Sequence, residues 1–393
     1  MDHVEIASSS IASSTSNRAT LICSVYACMF VFGVVVFLMG ALLPSLHVTY
    51  AQAGSLGSVP LLGILVATTL VGPILDTAGV KNVIVVALIL IAASLATMPS
   101  LHIYWQLVIG AATYGFGGGL LNTATNVMIS ELSAGNRASA LNRLGFFFSL
   151  GAISAPLMMS TVGGSLSPAV VLRLLATATT MVLVPVLILR FPPPVKAGQS
   201  IWNTLHVLRQ PAVWLFGMLL FFESGNENCM FVWSSKIVAD VIHTTATRAN
   251  LALVGLSISL GLGRLLATLW LRRLGNLGTI WLSTAVILIG SLLTSVSSGL
   301  AAMIVGLTVI GLGLSAVFPT TLALAGDCFP GQTGTVFGTI MTLALMGGTC
   351  GPALASFVVV HGPLKVLWIP AISAIAVALL AGSVGMHKRR AGI

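Results

Sequence analysis

Glu223, Asn226, Glu227 and Asn228 interrupt an apolar run over residues 212–235, and of all side chains in the sequence they are the best placed to do chemistry. Glu223 and Glu227 are four apart, so on a helix they share a face. An ionised side chain at mid-bilayer costs roughly 2.5 kcal/mol or more, and this stretch would meet that cost twice within about one turn. Two carboxylates that close in a low dielectric cannot both ionise cheaply, so the pair can carry a proton. It can equally hold a sodium ion, helped by Asn226, Asn228 or a backbone carbonyl. A third role is to accept hydrogen bonds from solute hydroxyls. The bland alternative is a structural pair tied to a basic residue of another helix, and Arg264 is the one mid-span candidate for that.

The elements that position these residues follow from composition. Of 393 residues, 57% are hydrophobic and 6% charged, against about 25% charged in a soluble domain. Mean hydropathy is +1.06. Such a chain cannot make a water-facing surface, so an all-α integral membrane protein with the lipid bilayer as its partner is expected. The net charge of +9 reads as membrane topology rather than nucleic-acid binding, because the basic residues sit at segment ends and form no stripe. The five cysteines show neither metal nor disulfide spacing. No nucleophile–base set, metal constellation or phosphate loop is legible, so neither an enzyme nor a cofactor is expected. The polar start of the chain lacks the basic region of a signal peptide and reads as a short, mobile tail.

A span needs about 20 apolar residues. That ruler gives twelve transmembrane helices near 20–43, 55–75, 82–98, 103–131, 139–162, 169–190, 212–235, 249–272, 277–297, 300–325, 335–360 and 364–386. The expected organisation is a cytoplasmic tail over 1–19, a six-helix bundle over 20–190, a cytoplasmic linker over 191–211, a second bundle over 212–386 and a tail over 387–393. With both termini in the cytoplasm, Arg18, Lys81, Arg137, Arg143, Arg190, Lys196, Arg209, Arg264, Arg272, Arg273, Lys388, Arg389 and Arg390 lie at or near the inner face. Only Arg173, Lys236, Arg248 and Lys365 fall outside, which favours this orientation in a plasma (inner) membrane. A shift of 196 positions superposes Gly79 on Gly275, Gly115 on Gly311, Gly117 on Gly313, Glu131 on Asp327, Gly151 on Gly347 and Pro156 on Pro352. Two parallel repeats of six helices describe a pseudo-symmetric transporter with its site at the midplane between the halves.

The loop Gly72-Pro73-Ile74-Leu75-Asp76-Thr77-Ala78-Gly79-Val80-Lys81 resembles a signature of the major facilitator superfamily. Further on stand Asn122-Thr123-Ala124-Thr125-Asn126, Phe146-Phe147-Phe148-Ser149-Leu150-Gly151-Ala152, Gly225-Asn226-Glu227 and Phe318-Pro319-Thr320. In that order they resemble the fucose/galactose/glucose–proton symporter family within the superfamily. The resemblance implies the major facilitator fold and ion-driven uptake of a monosaccharide. Gating is expected from Asp76 and Lys81, with Glu131, Arg137 and Asp327. Solute contacts are expected from Asn122, Asn126, Asn226, Glu227, Trp233 and Phe318, since a sugar needs polar partners and an aromatic platform.

One departure matters. Proton-coupled members commonly carry an acid where this chain has Asn122, and residues 26–44 contain no carboxylate. Ion coupling, by H+ or Na+, therefore falls to Glu223 and Glu227, with Glu227 favoured by its Gly-x-Glu context. The competing readings are an exporter of amphipathic organic compounds or drugs and an uncoupled sugar facilitator. Either way the expected partner is a small molecule, sugar first, with the chain working as a monomer.

Overall fold

The computed structural model describes residues 2–101, 103–133, 137–161, 166–192, 209–329 and 333–391, apart from side chains near some helix ends. The first half contains α1 (Asp2–Leu42), α2 (Tyr50–Thr97), α3 (Tyr104–Leu132), α4 (Arg137–Thr161) and α5 (Pro168–Ile188). The second contains α6 (Pro211–Ile242), α7 (Ala246–Ser295), α8 (Leu300–Cys328), α9 (Thr333–Val359) and α10 (Ile369–Ala391). Nine helical stretches among the described residues are long and apolar enough to cross a membrane. The helices α3 and α6 are not among the nine, though they have 29 and 32 residues. In α6 the polar insert dilutes an otherwise apolar span.

Two helices are too long to be single spans. At about 1.5 Å per residue, the 48 residues of α2 and the 50 of α7 exceed a core of about 30 Å more than twofold. Each is broken at one glycine: Gly79 at φ 78° and Gly275 at φ 66°. Side chains with a Cβ rarely tolerate that backbone, and glycine does. Dividing both helices there gives twelve rods among the described residues, each overlapping one expected span. The expected tail over 1–19 is instead the first part of α1, which is helical from Asp2 onward. No glycine or proline precedes Gly33, so nothing in the sequence breaks the helix. Residues 193–208 of the expected linker lie outside the described residues.

The 196-residue repeat is visible as geometry. Thr49 caps α2 by accepting from the Gln52 amide, and Thr245 caps α7 by accepting from the Arg248 amide. A Cβ at Gly117 would run into the carbonyl of Ala87 and the side chain of Ile91; one at Gly313 would run into the carbonyl of Ser283 and Ile287. Gly115 lies on the backbone of Pro60 as Gly311 lies on that of Leu256. Every partner in these pairs differs by 196. Close backbone approach through small residues is what holds helices together where lipid is as apolar as leucine.

Contacts between the halves crowd the side of the molecule away from the termini. Phe37 of α1 and Phe231 of α6 have ring centroids 3.9 Å apart. Gly40 lies against the carbonyl of Phe231, and Gly57 against the side chain of Val232. Buried Asn250 of α7 donates to the carbonyl of Ala41 at 3.1 Å while its Oδ1 accepts from Ser235. Toward the termini, a Cβ built at Gly145 of α4 or Gly338 of α9 would meet nothing within 4 Å. The molecule is thus closed on its far side.

The Gly40 contact joins the halves on that closed side and leaves no room for a side chain, so Gly40→Val is expected to disfavour the closed state. With the native cysteines replaced, Val232→Cys should react with a membrane-impermeant thiol reagent about tenfold faster when Gly40→Val is added, as ~1.4 kcal/mol of overpacking implies. An unchanged rate would show that this contact does not hold the far side shut.

Candidate solute and ion site between the halves

A cavity of about 260 Å³ lies between the halves below the closed side, with Phe231 in its wall. Its lining from α6 is Ser224, Glu227, Asn228 and Phe231. That is the i, i+3, i+4, i+7 spacing of one helix face. The rest of the polar lining is Arg264 from α7. The remaining second-half lining includes Phe318 of α8 and Met341, Leu345 and Gly348 of α9. From the first half come Met29, Phe32 and Val36 of α1, Leu61 and Ile64 of α2, and Phe148 of α4. Every first-half group is apolar, and all the charge is on the second half.

Glu227 and Arg264 form an ion pair, Oε1 to Nη2 at 3.6 Å, with side chains 13% and 32% exposed. The pair links α6 to α7 and puts one carboxylate and one guanidinium on the cavity wall. One turn earlier on α6, Glu223 is 1% exposed and neither of its carboxylate oxygens has a hydrogen-bond partner. A buried charge without a partner is strongly unfavourable. The Asn228 amide donates to the Ser224 carbonyl at 2.9 Å, leaving its oxygen for another donor. Pro352 has no N–H, so the carbonyl of Gly348, four residues earlier, lacks its helical donor at the cavity wall.

The sequence as a whole answers to a family model. Residues 20–233 and 215–390 match that of the Major Facilitator Superfamily. The chain belongs to this family. An uncharacterized transporter, y4wD of Sinorhizobium fredii, is 24% identical over 321 residues, covering 79% of this chain and 83% of that protein. Among solved structures, the nucleoside transporter NupG superposes with a TM-score of 0.75 at 14% identity, covering 94% of this chain and 98% of its own. A variant of the E. coli fucose:proton symporter FucP gives 0.63 at 20% identity, covering 94% and 99%. The resemblance to sugar–proton symporters thus extends to the fold.

Within that major facilitator fold the expected site residues divide. Glu227 and Phe318 reach the cavity. Asn226 and Trp233 do not line it. At about 100° per residue they lie roughly 150–170° around α6 from the middle of the lining face. There Asn226 donates to the Pro370 carbonyl at 3.5 Å, and Trp233, fully buried, donates to the Pro352 carbonyl at 3.0 Å. That face therefore ties α6 to α9 and α10. Asn122 and Asn126 satisfy one another, Nδ2 of Asn126 donating to Oδ1 of Asn122 at 3.0 Å and to its carbonyl at 2.8 Å. They are half-buried and outside the cavity lining. The cavity residues not foreseen include Met29, Phe32, Ser224 and Phe231. Nothing in their types marks them, although Phe148 stands in the Phe-Phe-Phe run already noted.

The expected gating residues lie at the termini side. The Lys81 ammonium donates to the carbonyls of Leu187 and Leu189 at 2.8 and 2.9 Å, satisfying the open end of α5. Asp327 accepts from Asn276 at 3.3 Å, just after the Gly275 break. Asp76 and Glu131 have no ion-pair partner among the described residues. The side chain of Arg137 lies outside them.

Removing one member of the central pair strands the other charge. Arg264→Leu is expected to cost on the order of 3 kcal/mol, and combining it with Glu227→Leu should recover part of that loss. Thermal unfolding of the two single variants and the double variant gives the coupling, expected at roughly 0.5–3 kcal/mol. Strict additivity would mean that the contact carries no interaction.

Proposed function

We propose that this chain is a secondary active transporter that takes up a small solute of monosaccharide size by alternating access. A proton or sodium gradient, coupled through Glu223 and Glu227, drives it. The observation that carries this reading is the arrangement of three charged groups. Glu227 is paired to Arg264, the single cation among the cavity's described lining residues, while Glu223, one turn away, is buried with both oxygens unpartnered. Arg264 neutralises one carboxylate, and the second needs a proton or a metal cation whenever the site is shut. Binding and release of that ion as the halves rock is the coupling step.

Lysine and arginine placement supports cytoplasmic termini; on that reading the closed side is the outer one and the described state faces inward. Asp76, Glu131 and Asp327 then belong to the inner gate and engage when that side closes. The cavity lies just under the roughly 300–1,000 Å³ of drug-sized sites, which suits a small solute. The structural relatives named for nucleoside and fucose transport support a solute of that size. A second reading, an exporter of amphipathic compounds, is favoured by the wholly apolar first-half wall.

Uptake into liposomes with a sugar panel, under imposed proton and sodium gradients in turn, is the test. One gradient should drive accumulation. Glu227→Gln should abolish accumulation while sparing exchange at equilibrium. If Glu223→Gln and Glu227→Gln both accumulate solute normally, the coupling assignment is wrong. Stimulation by neither gradient would point to a facilitator or an exporter.

A further inference from the structure

Arg264 has hydrogen-bonding capacity that its pairing with Glu227 leaves unused. A guanidinium has five N–H donors in a planar fork. Among the described residues, those of Arg264 have one partner, the 3.6 Å contact to Glu227, which is longer than a hydrogen bond. Among the described residues it is the only basic group lining the cavity, and a third of its side chain is open. Opposite it stand Met29, Phe32 and Phe148 of the first half, with Phe231 and Phe318 on its own side. A solute held there meets a cationic fork at one end and aromatic and thioether surface along its body.

We propose, resting on the transport reading of this same cavity, that the solute is a small organic acid whose carboxylate binds Arg264. Three observations converge. The fork matches a carboxylate in two parallel hydrogen bonds, a geometry that a hydroxyl cannot supply. The first half offers no polar atom to the ring of hydroxyls on a neutral sugar, whereas it suits a hydrocarbon or aromatic body. Glu227 already shows that a carboxylate is accepted beside Arg264, and its long single contact leaves the guanidinium free to take a second. The acid's carboxylate takes up the donors that Glu227 leaves unused, while its apolar body fills the wall that the first half closes over it. Polarity thus orients the solute, head on the second half and body on the first, so both halves hold it only when they meet.

The test uses the full chain purified in detergent and follows its unfolding temperature with benzoate, phenylacetate and hexanoate, each beside its uncharged amide. The acids should raise the unfolding temperature and the amides should not. Arg264→Gln should need at least tenfold more acid for the same shift, and Arg264→Lys, which keeps the charge but not the fork, should fall between. If Arg264→Gln does not run as a single species on size exclusion, the acid–amide comparison on the unaltered chain decides alone. Equal shifts from acid and amide, or no shift from any acid, overturn the inference. Uptake of fucose or uridine by liposomes in that case would leave the transport reading standing without it. Failure of every solute to be transported, with the acids still binding, would sink the transport reading and keep the carboxylate site.

Discussion

No group in the hydrocarbon of a bilayer can satisfy a stranded hydrogen-bonding atom, and the helices of this chain are arranged around that constraint. Each span must close its own backbone, so the molecule is helical throughout its membrane part. Apolar burial does not drive one span onto another in lipid, so contact depends on close backbone approach. The glycines at 115, 117, 311 and 313 supply it, each seated on a neighbour's carbonyl in the same relation in both halves. Several polar side chains that enter find a partner on another element. Trp233 reaches the Pro352 carbonyl, Asn250 the Ala41 carbonyl, and Lys81 the free carbonyls ending α5.

Glu223 is buried with both carboxylate oxygens unpartnered, and the cavity beside it is where the constraint is relaxed. Glu227 and Arg264 neutralise one another at the wall of a space large enough for a small solute. Their pairing within the second half leaves the first half as an apolar surface that can part from it without breaking a charge contact. The closure on the far side uses rings, small residues, one buried amide and the Lys236 ammonium 5.8 Å from the Tyr50 ring centroid. A rocking machine needs such an interface. Strong ionic contacts between the halves would deepen one state at the expense of the other.

Much of this was legible in the residues. Polar side chains at Glu223 and Glu227 stood out because lipid makes them costly, and the 196-residue register foretold that Gly79 and Gly275 would do the same job. Arg264 was identified as the one basic candidate for the pair. Sequence proximity separates cavity-facing residues less well. Asn226 and Trp233 are neighbours of Glu227 along the chain, yet the turn of the helix puts them on the opposite face. Met29, Phe32 and Phe231 are ordinary apolar residues, and no composition signal separates a cavity wall from a packed core.

The sequence by itself determined the membrane location, the span lengths, the duplication and the chemistry available at mid-span. Those depend on side-chain transfer energies and on periodicity, which are local. Only the tertiary structure decided which carboxylate meets the arginine, which side of the molecule is shut and which residues face the cavity. These depend on the rotation of each helix about its axis and on the approach of segments hundreds of residues apart, and packing between helices fixes both.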